Sequence, residues 1–359
     1  MNRRVMMELK PLIIGKLIVK YPIIQGGMGV GISLSRLAGT VAKEGGIGII
    51  SAAQIGFDED DFYTNPIIAN LRAIKRHLRK AKEVAEKGII GVNIMVASQK
   101  YKEYVKASAE NGADVIISGA GLPISLPEYV EGYDTKIAPI VSSEKATNVI
   151  LKMWDRKYKR TADFLVIEGP KAGGHLGFSY EDLRDMESIH YDEEIKKIIA
   201  CKKEYEDKYK LSIPVIVAGG IFNHDDIVHS LSLGADGVQI ASRFVVTEEC
   251  DAAPEYKEQY IKVEKEDIEI VISPVGMPGR AIHNRFLEKI KEEQETIDRC
   301  MRCIVSCNPV NTPYCITKAL INAVKGNIDE ALLFCGAEVH RLKEMTTVKK
   351  LMQELVMGL

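Results

Sequence analysis

The 359-residue chain has no excess of either charge and no long uncharged run. Its 48 basic and 50 acidic side chains leave a formal net charge of −2, so no broad positive field exists to attract a phosphate backbone. No stretch without a charged side chain is longer than 15 residues, and Tyr21 to Ser35, which has this length, is rich in glycine. A membrane span needs roughly 18 or more apolar residues. We therefore expect neither a nucleic-acid partner nor a membrane location.

The sequence also lacks the marks of export, of disulfide cross-linking and of common nucleotide sites. The N-terminal stretch MNRRVMMELKPLIIGKL is broken by charge and proline, and no small-residue cleavage site follows it. Seven cysteines in such a chain are poor evidence for disulfides, since reducing compartments keep thiols free. GGMGVG (26–31) and GGIGII (45–50) miss the Rossmann spacing, and no Walker sequence is present. We expect a cytoplasmic protein without a Rossmann site.

What the chain does contain is a repeated alternation of short apolar runs with longer stretches of helical period. The runs are apolar throughout, as expected for parallel strands that are covered on both faces. Eight such units in one chain favour a closed (β/α)8 TIM barrel over an open doubly wound sheet. The predicted strands are 21–27, 47–53, 89–96, 114–121, 136–143, 163–169, 213–220 and 236–242.

The repetition stops after Phe244. We assign residues 1–249 to the barrel and 250–359 to an additional C-terminal, mainly helical segment that packs on it. Within this segment, SPVGMPGRAIHN (273–284) is predicted to be a loop between helical pieces, and 300–359 is predicted to be mainly helical.

Glycines collect just after the predicted strands, where the working face of such a barrel lies. Strand-to-helix turns favour glycine in any case, but the clustering at one end of several strands also suits a ligand that the backbone approaches closely. After the last two strands, VAGGIFNHDDI and IASRF bring N–H groups and the Ser242 hydroxyl together, which predicts a phosphate site. The glycines at these strand ends include Gly26, Gly27, Gly173, Gly174, Gly219 and Gly220.

Four polar side chains at or near the strand ends are candidates for contact with a ligand. His175 lies between glycines in EGPKAGGHLGF (168–178), where it either anchors a tight turn or exchanges a proton beside a flat ligand; we favour the second interpretation. Asn93 and, more weakly, Gln25 interrupt apolar strands, so each either ties strands together or meets a ligand. Glu168 is either an acid at the barrel mouth or a loop anchor.

These motifs resemble the flavin-dependent nitronate monooxygenases, formerly called 2-nitropropane dioxygenases, and the related flavin-dependent enoyl-acyl-carrier-protein reductases. The resemblance runs over about 20–250 and rests on PIIQGGMG, GVNIMV, EGPKAGGHLGF, IPVIVAGGI and GVQIASRFVVTEE. It implies a barrel that binds FMN non-covalently, with His175 as the active-site histidine. It also implies a phosphate site at Gly219, Gly220, Ala241 and Ser242, and a flavin border of Gly26, Gly27, Met28, Asn93, Gly173 and Gly174. Family members often have G-T-R-F where this chain has ASRF (241–244).

The resemblance implies a small-molecule substrate, is compatible with a homodimer, and leaves three functions open. The first is oxidation of alkyl nitronates, with O2 reoxidising the flavin. The second is reduction of enoyl thioesters by NAD(P)H through FMN, with His175 helping to supply the proton. The third, of a different class, is a flavin-binding or redox-sensing protein without substantial turnover that uses the cysteines of the C-terminal segment for metal-dependent regulation.

The C-terminal segment contains a separate cysteine pattern. Cys300, Cys303 and Cys307 are spaced to lie on one face of a helix, and Cys315 follows. Thiolates at such spacing hold zinc or an iron–sulfur cluster in some proteins, but buried cysteine is also a common core residue. The familiar ferredoxin spacing is not matched, so we assign no metal site from the sequence.

Overall fold

The protein, analysed as a computed structural model, is described here for residues 9–186, 189–274 and 276–358. Its centre is a closed barrel of eight parallel strands, which confirms the predicted (β/α)8 architecture and all eight predicted strands. The barrel strands are β3 (Ile23–Gln25), β4 (Ile47–Ser51), β5 (Ile89–Met95), β6 (Val115–Gly119), β7 (Lys136–Val141), β8 (Leu165–Glu168), β10 (Val215–Ala218) and β11 (Gly237–Ile240).

Helices follow most of the barrel strands, and local signals fix where several of them begin. Pro66 stands in the first turn of α2, where its missing N–H costs nothing. The Ser143 hydroxyl accepts the Ala146 N–H to cap α5, and Asn223 forms a capping box with Asp226 at α8. The helices of this part are α1 (Ser35–Lys43), α2 (Pro66–Ala85), α3 (Tyr101–Glu110), α4 (Leu126–Tyr129), α5 (Glu144–Tyr158), α6 (Tyr180–Arg184), α7 (Tyr191–Tyr209), α8 (His224–Ser232) and α9 (Ser242–Val245).

A hairpin at the start of the chain packs on the barrel interior. Strands β1 (Leu12–Ile14) and β2 (Leu17–Val19) pair antiparallel around Gly15, whose φ of 58° suits glycine in this tight turn. The buried side chains of Leu12, Ile14 and Val19 join the apolar cluster inside the barrel. Residues 1–8, part of the stretch that we inspected for an export signal, lie outside the described residues.

The C-terminal segment contains strands as well as helices, and its last helix packs against α1 and α8 of the barrel. Strand β13 (Pro278–Ile282) pairs antiparallel with β12 (Ile268–Ile272) on one side and with β9 (Gly174–His175), a short strand beside the barrel, on the other. The prediction of a loop over 273–284 is therefore wrong for the part that forms β13. The elements are β9 (Gly174–His175), α10 (Pro254–Lys262), β12 (Ile268–Ile272), β13 (Pro278–Ile282), α11 (Arg285–Glu292), α12 (Ile316–Val324) and α13 (Val348–Met357), with short 3-10 turns at Lys265–Asp267, Ile328–Glu330 and Val339–Arg341.

The predicted helix around the first three cysteines is also wrong. Residues 300–315 are irregular, and Arg302 has a left-handed φ of 48°. Pro309 and Pro313 lack the N–H groups that a helix needs. Backbone groups of the segment bond instead to the loop after β5, including the Val305 N–H to the Ala97 carbonyl at 2.9 Å. Tertiary hydrogen bonds thus replace the helical ones.

One apolar cluster joins the C-terminal segment to the barrel. It combines Leu37 and Val41 of α1 with Val348, Leu351 and Leu355 of α13, all of them buried. Hence the segment shares its core with the barrel wall. The division of the chain at residue 249 stays a prediction.

Candidate active site

Two adjoining cavities lie at the carboxyl ends of the barrel strands. The first, which we call the mouth cavity, is bordered by residues at the ends of β4, β5, β6 and β8 and by side chains of the C-terminal segment. The second, which we call the side cavity, lies beside the ends of β10 and β11. The two cavities share Gly27, Glu168, Gly173, Gln239, Ala241, Ser242 and Gly336. A single elongated ligand could therefore extend from one into the other.

The ten residues that the sequence predicts to bind the cofactor, together with the predicted catalytic His175, all lie around these two cavities. The mouth cavity is bordered by Gly27, Met28, Asn93, Gly173, Gly174, His175, Ala241 and Ser242. The side cavity adds Gly26, Gly219 and Gly220. The structure thus brings residues from five different strand ends into one site, although their roles there stay a prediction.

The glycines of the site are needed for different reasons. A Cβ on Gly27 would lie 2.4 Å from the Asn93 Cβ, and a Cβ on Gly173 would lie 2.6 Å from the backbone carbon of Cys335. These two glycines permit close packing within the protein. A Cβ on Gly174 would meet nothing within 4 Å, and this residue has a φ of 73°, so only Gly174 combines an open neighbourhood with a conformation that favours glycine.

The side cavity combines backbone turns with positive side chains. Gly219 and Gly220 both have positive φ values, 96° and 83°, and Ser242 accepts the Gly336 N–H at 3.2 Å through its hydroxyl. Lys171 and Arg243 also border the cavity. Both cations have acidic partners, since Lys171 pairs with Glu338 at 3.1 Å and Arg243 pairs with Glu354 at 2.6 Å.

His175 is held in place by the C-terminal segment. Its backbone pairs with Gly279 in β13, its Nε2 lies 2.9 Å from the Ser273 hydroxyl, and its ring makes an edge contact with Phe334 at 5.0 Å between centroids. Burial lowers the pKa of this imidazole to about 4, because the charged form loses solvation. The ring is therefore neutral at neutral pH, so one of its nitrogens can donate a hydrogen bond and the other can accept one.

Glu168 borders both cavities at the end of β8. Burial raises the pKa of its carboxyl to about 7, because no charged partner offsets the loss of solvation. The Tyr191 hydroxyl donates to the Glu168 backbone carbonyl at 2.8 Å, which fixes the main chain at this point. A buried carboxyl with such a pKa can give or take a proton near neutral pH.

Two glutamine side chains in neighbouring strands behave differently. Gln25 is fully buried, and its amide donates to the Gly26 carbonyl and accepts the Ile49 N–H, so it ties strands together. Gln239 borders both cavities, and its buried Oε1 has no hydrogen-bond partner in the protein. An orphaned buried acceptor is costly, which makes Gln239 a candidate for contact with a ligand N–H.

The far wall of the mouth cavity is apolar and comes from the C-terminal segment. It includes Ile304, Ile316, Leu320, Leu332 and Phe334, with the Cys303 side chain beside them. The Tyr260 hydroxyl donates to the Phe334 carbonyl, which holds this wall in position. A ligand in the mouth cavity would thus meet polar groups at the strand ends and hydrocarbon opposite them.

Sequence reasoning missed several of these residues. Ser273, Phe334 and Gly336 come from the C-terminal segment, where no rule about strand ends applies. Gln239 could have been found, since it is a polar residue inside the apolar strand sequence GVQI, the same signal that pointed to Asn93.

In the described ranges, none of the helices has the length and apolar character that a membrane crossing requires. The cytoplasmic location and the homodimer stay predictions.

Comparison with known proteins points to one family. Residues 10–358 match the family model described as nitronate monooxygenase. The probable nitronate monooxygenase of Bacillus subtilis (strain 168) is 25% identical over 363 residues, covering 93% of this chain and 94% of the relative. That of Staphylococcus saprophyticus is 26% identical over 317 residues, covering 81% and 83%.

Solved structures share the fold at low identity. FabK from Thermotoga maritima superposes with a TM-score of 0.72 at 24% identity and covers 94% of this chain and 92% of its own. Nitroalkane oxidase from Streptomyces ansochromogenes has a TM-score of 0.71 at 18% identity, with coverage of 94% and 95%. The family match spans nearly the whole described chain, and the chain therefore belongs to the nitronate monooxygenase family of flavin-dependent oxidoreductases.

Proposed function

We propose that the chain binds FMN across the two cavities, with the ring system in the mouth cavity and the phosphate group in the side cavity. The orphaned acceptor Gln239 Oε1 supports this assignment, because a flavin ring carries an N–H group that can satisfy it. When bound, FMN would accept electrons from a substrate and return them to O2. The residues that would border the cofactor are Gly26, Gly27, Met28, Asn93, Gly173, Gly174, Gly219, Gly220, Ala241 and Ser242.

The side cavity supports a monophosphate tail. Backbone turns at Gly219 and Gly220 and the Ser242 hydroxyl offer hydrogen-bonding groups. Lys171 and Arg243 border the same place and could donate to a phosphate group, although each is already paired with a glutamate. A phosphate group at such a point would gain charge-assisted hydrogen bonds.

We propose that the reaction is the oxidation of alkyl nitronates, and that His175 is the catalytic residue. The observation that carries this proposal is a neutral, buried imidazole at the cavity that also has an apolar wall. The apolar wall suits an alkyl chain, and the uncharged ring can donate a hydrogen bond that orients the nitronate oxygens, or can take the proton of a neutral nitroalkane to form the nitronate before its oxidation. The Ser273 hydroxyl and the Phe334 ring keep the imidazole in place.

Anaerobic mixing tests the reaction. We expect an alkyl nitronate to bleach the flavin of the purified chain rapidly, and admission of O2 to restore its colour. NADH and NADPH should leave the flavin oxidised. Rapid bleaching by either nucleotide would exclude an enzyme that uses nitronates alone.

Reduction of an enoyl thioester by NAD(P)H is the second candidate, and one observation favours it. The protonated Glu168 carboxyl could supply a proton near neutral pH, which the neutral His175 ring does less readily. Consumption of NAD(P)H that depends on an enoyl thioester would establish this reaction in place of nitronate oxidation.

A further inference from the structure

One guanidinium, that of Arg280, is buried in the C-terminal segment behind the side cavity. Arg280 lies in β13, and only 2% of its surface is exposed. Arginine stays protonated in proteins, so the group carries a positive charge into the interior. In the ranges 9–186, 189–274 and 276–358, no aspartate or glutamate forms an ion pair with it. A buried charge of this kind is costly unless other groups compensate it, so its contacts call for a physical account.

Arg280 donates to main-chain carbonyls of residues 169–173, which we call the β8 loop. Its Nη1 donates to the Ala172 carbonyl, and its Nη2 donates to the Pro170 carbonyl at 2.9 Å. The Met186 sulfur lies 3.2 Å from the same Nη2. The N–H donors of a guanidinium form a rigid, planar fork. The two bonds to carbonyls therefore fix the orientation of two peptide groups in the loop.

The other two carbonyls at this end of the β8 loop also have donors in the protein. The Gly169 carbonyl accepts the Ala172 N–H at 3.1 Å, and the Lys171 carbonyl accepts the Ala337 N–H at 3.1 Å. Four successive carbonyls are thus bonded to the protein itself. The loop offers a ligand its N–H groups rather than its carbonyls.

The direction of two of these N–H groups follows from the bonds to Arg280. In a trans peptide the C=O and the N–H point in opposite directions. The Pro170 carbonyl shares its peptide with the Lys171 N–H, and the Ala172 carbonyl shares its peptide with the Gly173 N–H. Both N–H groups therefore point away from the guanidinium. Within the described part of the chain, neither of them meets an acceptor.

The β8 loop lies between Arg280 and the side cavity. Lys171, Ala172 and Gly173 border this cavity, whereas Arg280 borders neither of the two cavities. The loop also packs on the turn after β10, since a Cβ on Gly219 would lie 2.9 Å from the Ala172 nitrogen. The two N–H groups that point away from Arg280 are thus available to a ligand in the side cavity.

An anion is the ligand that this arrangement suits. Successive backbone N–H groups that face one space bind phosphate oxygens, and a positive charge behind them favours an anion. The side-chain cations Lys171 and Arg243 each already pair with a glutamate. We propose that Arg280 is a positioning residue, which turns the Lys171 and Gly173 N–H groups toward the side cavity and thereby favours a phosphate group there. The inference rests on the proposed function in one respect, since it names the anion as the phosphate of FMN.

A comparison of FMN with riboflavin tests the role of Arg280, because the two flavins differ only in the phosphate group. Both are titrated into the flavin-free full chain, and binding is followed by flavin fluorescence. In Arg280→Met the preference for FMN over riboflavin should fall about tenfold to a hundredfold. The affinity for riboflavin should change little, because the phosphate contacts do not contribute to it.

The conservative variant separates the charge from the fork. Arg280→Lys keeps a positive charge but cannot hold both carbonyls in one plane, so its preference for FMN should lie between those of the wild type and Arg280→Met. A merely structural role would weaken the binding of both flavins by the same factor. Circular dichroism spectra establish that each variant is folded.

Arg36→Met is the matched control. The Arg36 guanidinium also donates to two main-chain carbonyls, those of Glu249 and Cys250. These two residues border neither cavity. The affinities of Arg36→Met for FMN and for riboflavin should therefore equal those of the wild type.

Hydrogen exchange gives a measurement that needs no substitution. In the wild-type chain FMN should protect the amides of Lys171 and Gly173 from exchange more strongly than riboflavin does, because only FMN brings an acceptor to them. This measurement carries the test if Arg280→Met does not fold. Equal protection by the two flavins would overturn the proposal.

The outcomes distinguish the role of Arg280 from the proposed function. An unchanged preference for FMN in Arg280→Met, or an equal loss of both flavins, would overturn the role of Arg280 alone. A wild-type chain that binds neither flavin would refute the proposed function. Inorganic phosphate then tests Arg280 separately, since it should raise the Tm of the flavin-free wild type more than that of Arg280→Met. An equal rise in both chains would overturn the role of Arg280.

Discussion

The two walls of the mouth cavity are built in different ways. The wall at the barrel strand ends consists largely of backbone, with glycines such as Gly27 and Gly173 and a few amide or carboxyl side chains. The opposite wall, from the C-terminal segment, consists of bulky side chains such as Ile316, Leu320 and Phe334. Backbone suits a flat ring of fixed shape, whereas side chains set the size and polarity of a substrate pocket.

This difference separates cofactor binding from substrate chemistry. Changes at the strand ends should alter flavin affinity, and changes in the C-terminal segment should alter turnover. His175 stands where the two walls meet, because its strand pairs with β13. The four predictions below test this division.

The largest effect is expected at His175. His175→Ala removes the ring that would hydrogen-bond to the nitronate oxygens, so turnover of an alkyl nitronate should fall roughly 10²–10³-fold. Flavin content should not change, because the strand-end wall is intact. Steady-state rates and the visible spectrum of the purified variant measure both quantities.

Ser273→Ala is the matched change in the other wall. It removes only the hydroxyl 2.9 Å from Nε2, so the turnover loss should be clearly smaller and the flavin should again be retained. If His175→Ala left turnover unchanged, the histidine would be a turn anchor and the proposed role would be refuted.

A pH-dependent effect of up to about 3 kcal/mol is expected at Glu168. Burial raises the pKa of this carboxyl from 4.5 to about 7. Between these values the folded chain holds a proton that the unfolded chain has released, so the carboxyl lowers the free energy of unfolding as the pH rises. Glu168→Gln lacks this contribution and should gain stability relative to wild type between pH 4.5 and pH 7. Denaturant titrations of flavin-free protein measure the difference.

His175 makes the free energy of unfolding change with pH in the opposite direction, and it therefore serves as the control. Burial lowers its pKa from 6.5 to about 4, so the unfolded chain binds the extra proton and wild-type stability rises over this interval. His175→Ala should therefore lose stability relative to wild type between pH 4 and pH 6.5. If the stability of both variants relative to wild type changed in the same direction as the pH rises, one of the two assigned pKa shifts would be wrong.

Gly173→Ala tests the contact between the two walls. The added Cβ would lie 2.6 Å from the backbone carbon of Cys335, which cannot swing away as a side chain could. We expect the free energy of unfolding to fall by about 1–3 kcal/mol. Gly174→Ala is the neighbouring control, since its Cβ meets open space and only the positive φ is strained, at about 1–2 kcal/mol. Denaturation curves that show Gly173→Ala at no cost would contradict the close contact.

The barrel could be predicted because each unit repeats the same local pattern. The run DFLVIEG predicts the position of β8, and Pro66 with the spacing of apolar residues predicts α2. The strand-end rule then brought His175, Asn93 and Gly219 together from distant parts of the chain. Periodicity and topology suffice for this half of the site.

The C-terminal half could not be predicted in the same way. Residues 300–315 carry a cysteine spacing typical of a helix face, but tertiary bonds to the loop after β5 and two prolines prevent a helix. Strand β13 is stabilised through pairing with β9, which is only two residues long. Ser273 and Phe334 reach the site through such long-range pairing, which no local pattern encodes.

The smallest effect is expected at Gln239, and it concerns the strand-end wall. Gln239→Leu removes an acceptor that has no partner in the protein alone, so the flavin-free chain should be as stable as wild type or slightly more stable. FMN would lose one hydrogen bond, which should weaken its binding about tenfold, or roughly 1.4 kcal/mol. Fluorescence titration with FMN and denaturation without it measure the two quantities.

Gln25→Leu should show the reverse pattern, because that amide already bonds to the Gly26 carbonyl and the Ile49 N–H. Its loss leaves a buried N–H and a buried carbonyl unpaired, so the flavin-free chain should be destabilised by about 1–3 kcal/mol. The two variants thus distinguish the Gln25 amide, which bonds neighbouring strands, from the Gln239 amide, whose oxygen has a partner only when a ligand is bound. A Gln239→Leu chain with wild-type FMN affinity would remove the main support for the ring position.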